Sequence, residues 1–187
     1  PTGIYPLSLH DALPIYGDGF SLVTNILSKG NLSKLNESYN QPPITTEQVI
    51  HPRKYFAQET APEIELPDIE TVLGQEWSIL HQEVLGEFFL KAYLEIVTNK
   101  SIAATSSSGW EGDKYQLLSG PNGNTLLISL LRWESPEDTH EFHDALERIK
   151  FSSDVNMRFE ILRSTNQVLL VVGSNEETYK TIVQAFE

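Results

Sequence analysis

Apolar residues recur every three or four positions from Ile69 to Ile96: Ile69, Leu73, Trp77, Leu80, Val84, Phe88, Ala92 and Ile96. That spacing predicts one long amphipathic helix from about Ile69 to Asn99, because residues three or four apart share a helix face. Val72, Leu85, Phe89, Tyr93 and Val97 widen the stripe well beyond a coiled-coil seam. Glu87, Lys91 and Glu95 form a ladder on the more polar side. Such a stripe needs more than one partner. The preceding helical stretch, Gly17 to Gly30 with Phe20, Val23 and Leu27 on one face, is too short to cover it. A second long helix, the sheet, or self-association through the Ile69-Ile96 helix has to supply the cover.

Beyond the Ser-rich connection Ala104 to Asp113 the pattern changes. Lys114 to Leu118 reads as a strand, Pro121-Asn122-Gly123-Asn124 as a turn, and Thr125 to Trp133 as a more apolar strand. Ser135-Pro136 opens a helix that buries Phe142, Ala145, Leu146 and Ile149. Met157, Phe159 and Ile161 alternate with polar residues, Val168 to Val172 is a buried strand, and Asn175 to Phe186 is a last helix. The order is β-β-α-β-β-α, an antiparallel layer covered on one face. The fold class is therefore α+β: N-terminal helices, one long amphipathic helix, then the sheet. Residues 1–15 read as an irregular leader, 16–103 as a helical region, and 104–187 as a small α+β region packed on it.

Charge and composition limit what the chain can do. Thirteen Lys and Arg stand against 26 Asp and Glu, a formal net charge of −13. This surface repels a phosphate backbone and carries no basic stripe, so no nucleic acid partner is expected. No window is apolar and long enough for a membrane-spanning segment, and a soluble protein is expected. There are no cysteines, which removes disulfides, thiolate zinc sites and cysteine nucleophiles. No GxGxxG, P-loop or GxSxG pattern is present.

Several clusters carry polar chemistry, and each has a structural reading beside it. His140-Glu141-Phe142-His143 has two histidines at i,i+3, whereas a zincin helix needs i,i+4. Phe142 is also a core position of the same helix, so a solvated face is the plainer reading. Glu47 and His51 sit at i,i+4 on a short helix capped by Thr45 and ended by Pro52. A carboxylate–imidazole pair can orient a base or ligate a metal, or simply form a local ion pair beside a helix end. His81, Glu83 and Glu87 lie near one side of the expected long helix, but the matching Glu-x-x-His partners of a carboxylate metal site are missing. In Gly109-Trp110-Glu111-Gly112-Asp113, Trp110 and Asp113 suit a stacking and cation-binding loop, or a tight turn into the sheet with Trp110 tucked inward. Asn31-Leu32-Ser33 and Asn36-Glu37-Ser38 match the glycosylation acceptor pattern.

Three stretches carry a family resemblance. PPITTEQVIHPRKY (Pro42 to Tyr55), LGEFFL (Leu85 to Leu90), and GWEGDKYQLL (Gly109 to Leu118) with the following ISLLRWESPEDTHEFHDAL are similar to bacterial and archaeal zinc-dependent peptidase-like proteins. Thr46, Glu47, His51, Pro52 and Tyr55 match the middle motif; Gly109, Trp110, Gly112 and Asp113 match the lead-in to the sheet, with Glu111 where another glycine is expected. The family's HExxH helix and acidic zinc ligand lie upstream of the segment matching Tyr16. The resemblance therefore implies a non-catalytic C-terminal remainder with no cofactor of its own, and a full-length parent that holds zinc and is extracytoplasmic. PTGIYPLSLHDALPI (Pro1 to Ile15) resembles a translated sequencing adapter of metagenomic reading frames, which implies a truncated fragment. The alternative is a binding or protein-interaction module with no enzymatic ancestry.

Overall fold

The computed structural model describes residues 9–150, 158–173 and 176–186. Pro1 to Ser8, Met157, Asn175 and the side chains of residues 9–15, Ile149 and Phe159 lie outside that description. The chain divides into two compact units, Pro1–Thr60 and Ala61–Glu187. The boundary expected near residue 103 therefore falls inside the second unit.

The first unit begins with helix α1 (Leu9–Ser38), interrupted at Gly30 and at Asn31, whose φ is 65°. The backbone of residues 9–15 is helical, not irregular as their prolines suggested: a proline removes one backbone bond without always ending a helix. Among the described side chains of α1, Leu22 and Ile26 are buried, in one cluster with Tyr55, while Phe20 and Val23 face water. Two short helices follow, α2 (Thr46–Ile50) and α3 (Pro52–Ala57). The Thr45 hydroxyl accepts the Gln48 N–H, and the Gln48 carboxamide accepts the Ile44 N–H, so the capping arms reach residues 45 and 44.

The second unit holds a five-stranded antiparallel sheet in the order β1-β2-β3-β5-β4. Its strands are β1 (Ser78–Glu83), β2 (Trp110–Ser119), β3 (Thr125–Trp133), β4 (Arg158–Arg163) and β5 (Gln167–Gly173). Its helices are α4 (Ile69–Leu73), α5 (Gly86–Val97), α6 (Lys100–Ser107), α7 (Pro136–Lys150) and α8 (Glu176–Phe186). The β-β-α-β-β-α order holds from β2 to α8.

The single helix expected over Ile69 to Asn99 is instead α4, β1 and α5. Gly74 and Gly86 take φ of 92° and 75°, conformations that L side chains rarely adopt, and they bracket the strand. β1 then pairs with β2 from Ser78–Ser119 to Glu83–Tyr115, with a bulge between Ile79 and His81. Ile69 and Trp77 from the expected stripe are buried in the sheet's core, whereas Leu80, Val84 and Ile96 are exposed.

Helices cover both faces of the sheet, not one. Alternate residues of β3 point oppositely. Leu126 and Ile128 join Ile69, Trp77, Leu118, Val171 and Ile182 in one core. Leu131 and Trp133 join Leu90, Leu94, Ala103, Trp110 and Phe142 in the other. Trp133 and Phe142 stack with centroids 4.2 Å apart. The Ser135 hydroxyl accepts the Asp138 N–H and so caps α7, as its Ser-Pro start suggested.

Candidate functional site

β2 opens on Trp110, and three residues later the same strand carries Asp113. Both are buried, Asp113 to 2% exposure. The Asp113 carboxylate lies at the start of α5. Its Oδ2 accepts the Leu85 N–H at 2.7 Å, and its Oδ1 accepts the Gly86 N–H at 2.8 Å. The Trp110 indole N–H also donates to Oδ1, at 2.9 Å. Leu85 itself offers no capping side chain, so a distant strand supplies the acceptor that the first turn of α5 lacks. Burial pushes the Asp113 carboxyl above its ordinary value, and the Leu85, Gly86 and Trp110 donors pull it the other way without offsetting burial. The tucked-in reading of Trp110 is thus the one the structure supports: it is buried in the same core cluster as Leu90 and Leu94 of α5.

Next to this cap is a cavity of about 160 Å3 lined by Pro62, Ile64, Val84, Trp110, Asp113 and Lys114, among others. It is small beside pockets that enclose drug-sized ligands, which start near ~300 Å3. Both Asp113 oxygens already hold donors, so the carboxylate is committed to the fold.

The histidines of α7 point to different partners. Arg163 lies 3.0 Å from His140 Nδ1. A guanidinium can only donate, which makes that nitrogen the acceptor. His140 Nε2 lies 3.5 Å from Asp144 Oδ2, and His143 Nδ1 lies 3.5 Å from the other oxygen, Oδ1. Zinc needs ligands converging at about 2 Å in a tetrahedron. Here the two rings address opposite oxygens of one carboxylate, and a guanidinium sits where a cation would be repelled. The rings are engaged by Arg163 and Asp144.

In the first unit, Glu47 is buried and its carboxylate meets Lys54 Nζ at 2.7 Å; Lys54 also meets Glu59 at 2.9 Å. The His51 backbone N–H donates to the Glu47 carbonyl at 2.7 Å, closing α2. These partners are those of a charge network that ties α2 to α3. His81, Glu83 and Glu87 do not share a helix: His81 and Glu83 lie on β1, with the His81 ring 5.7 Å from that of Tyr115, and Glu87 is buried in the first turn of α5.

Part of the apolar stripe read from the sequence remains on the outer side of α5. Leu90 and Leu94 point into the core. Phe89, Tyr93, Ile96 and Val97, at i, i+4, i+7 and i+8, form a second apolar stripe facing water; Phe89 is 64% and Ile96 83% exposed. Its sequence signal was the widening of the stripe by Phe89, Tyr93 and Val97 beside Ile96. Among the described residues, no helix is long and apolar enough to cross a membrane.

No curated protein and no solved structure matches the chain. The family model of a domain of unknown function, DUF8575, matches residues 77–183, from the residue preceding β1 to the last helix. That match takes in the whole sheet and more than half of the chain, so the protein belongs to the DUF8575 family.

Proposed function

We propose that this chain is a non-catalytic part of a zinc peptidase-like protein, and that the outer stripe of α5 is the seat for that protein's catalytic helices. The observation that carries the reading is the two-sided apolarity of α5. Leu90 and Leu94 anchor the helix to the sheet, while Phe89, Tyr93, Ile96 and Val97 are left to water. Each large side chain kept exposed forgoes about 1.5–3 kcal/mol of burial, so a stripe of four is suited to an apolar partner. The sequence resemblance supplies the identity of that partner: the zinc-binding helices of the parent. Self-association through the same stripe, and docking of an unrelated protein on an interaction module with no enzymatic ancestry, are the competing occupants.

The test is to supply the upstream segment of the native gene in trans and follow complex formation by light scattering. Complex formation that Phe89→Lys with Ile96→Lys abolishes, together with zinc-dependent peptide hydrolysis only in the complex, is the expected result. Those substitutions should leave stability within about 0.5 kcal/mol, as for surface positions. Homodimers that the double variant dissociates, or chelator-sensitive hydrolysis by this chain alone, would overturn the reading.

A further inference from the structure

We infer that β1 is a docking edge for an extended, basic segment of a partner protein, which adds to the sheet as a further strand. The inference stands apart from the α5 stripe and does not depend on what covers it.

β1 is the terminal strand of the sheet, paired on one side with β2. All six of its residues are exposed, and no described strand lies beyond it. An edge of this kind presents a row of backbone N–H and C=O groups to any chain that approaches in extended form. Proteins block such edges with charged residues (lysine above all), proline, bulges or a covering element. β1 reads Ser-Ile-Leu-His-Gln-Glu and has neither lysine nor proline; only the bulge between Ile79 and His81 interrupts it. Ile79 and Leu80 are half or more exposed on this strand.

Charge selects the occupant. From Ala61 to Leu90 there is no Lys or Arg, and there are seven Asp and Glu. Of these, Glu76 and Glu83 flank and end the strand, and both are exposed. The nearest cation in register is Lys114, one residue past the Tyr115 that pairs with Glu83. A second copy would bring another net charge of −13 to the same edge. A lysine-bearing strand meets Glu76 and Glu83 with opposite charge instead. The register also sets its pattern. Ile79 lies opposite the buried Leu118, whereas His81 and Glu83 lie opposite Leu117 and Tyr115 on the other face. A strand alternating apolar and basic residues continues the first face with its apolar side and reaches Glu83 with its basic side.

The probe is the peptide Ac-Lys-Val-Lys-Val-Lys-Val-NH2, compared with its Glu-Val and Ser-Val counterparts, titrated into the full chain. Backbone amide exchange across Ser78 to Glu83 is followed by NMR. The expected result is protection of alternate β1 amides by the lysine peptide alone, weakening at least about fivefold when the Debye length falls from roughly 10 Å to 3 Å on adding salt. Leu80→Pro, which removes a backbone N–H from the middle of the strand, should abolish the protection. Glu83→Gln should weaken it with the fold intact by circular dichroism, which covers the case in which the proline variant unfolds. Equal protection by all three peptides, none by any, or protection that grows with protein concentration in the absence of peptide would each overturn the inference.

Discussion

Replacing Asp113 by alanine removes one acceptor from three donors at once: the Leu85 and Gly86 N–H groups and the Trp110 indole. Each buried donor left unmade costs about 1–3 kcal/mol, and losing an anion at a helix N-terminus about 1 more. The gross loss is therefore roughly 4–10 kcal/mol. Relief of a buried charge returns several kcal/mol of it, leaving a net cost of about 2–4 kcal/mol. That is a large share of a stability of about 5–15 kcal/mol. Asparagine is milder. Its carbonyl can take the place of Oδ1, which holds Gly86 and Trp110, while its NH2 opposes only the Leu85 N–H. A net cost of about 1–2 kcal/mol is expected for Asp113→Asn. Urea unfolding, followed by far-UV circular dichroism and tryptophan fluorescence, measures both. An alanine cost under about 1 kcal/mol, or asparagine costing more than alanine, would refute the capping argument. The pH dependence has a definite sign. Burial raises the Asp113 carboxyl, so between its unfolded value near ~3.9 and its higher folded value the folded state binds more protons. This group's contribution is fully present below the unfolded value and is lost as pH rises through the folded one. The stability of the wild type minus that of Asp113→Asn should fall with rising pH across that window and then level off. A difference that grows with pH would sink the assignment.

Other expectations follow from close packing. A Cβ at Gly120 would lie 2.6 Å from the buried Trp77 ring, so Gly120→Ala should cost about 1–3 kcal/mol, read from the urea midpoint. Phe142→Ala removes the ring stacked on Trp133 and should cost about 3–5 kcal/mol; a loss below about 1 kcal/mol would mean that the α7 core position is misplaced. Calorimetric titration with zinc should find no submicromolar site that disappears in His140→Ala, because Arg163 and Asp144 already engage the ring nitrogens. A site of that kind would show that the imidazoles reorganise around the metal.

The sequence by itself determined the elements whose signals are local. Asn122-Gly123 takes the turn between β2 and β3, with φ of 59° and 75°, because those residue types tolerate left-handed backbone. Ser135-Pro136 starts α7, and the apolar run Thr125 to Trp133 forms β3, since capping and strand preference act within a few residues. The candidate site was legible only as residue types. Trp110 and Asp113 stood out in their glycine-flanked run, but the role of Asp113 depends on α5, whose first turn lies 27 residues earlier in the chain. No local pattern encodes an acceptor supplied from that distance. The tertiary structure also decided the segment from Ile69 to Asn99. Its apolar residues satisfy a helical period, yet β2 presents an open edge at Gln116 and Leu118 that pairing with Gln82 and Ile79 satisfies. Gly74 and Gly86 free the backbone to turn in and out of that strand. Periodicity reports which residues prefer burial; the unpaired edge of a neighbouring strand decided which of them turn toward the core and which stay in water.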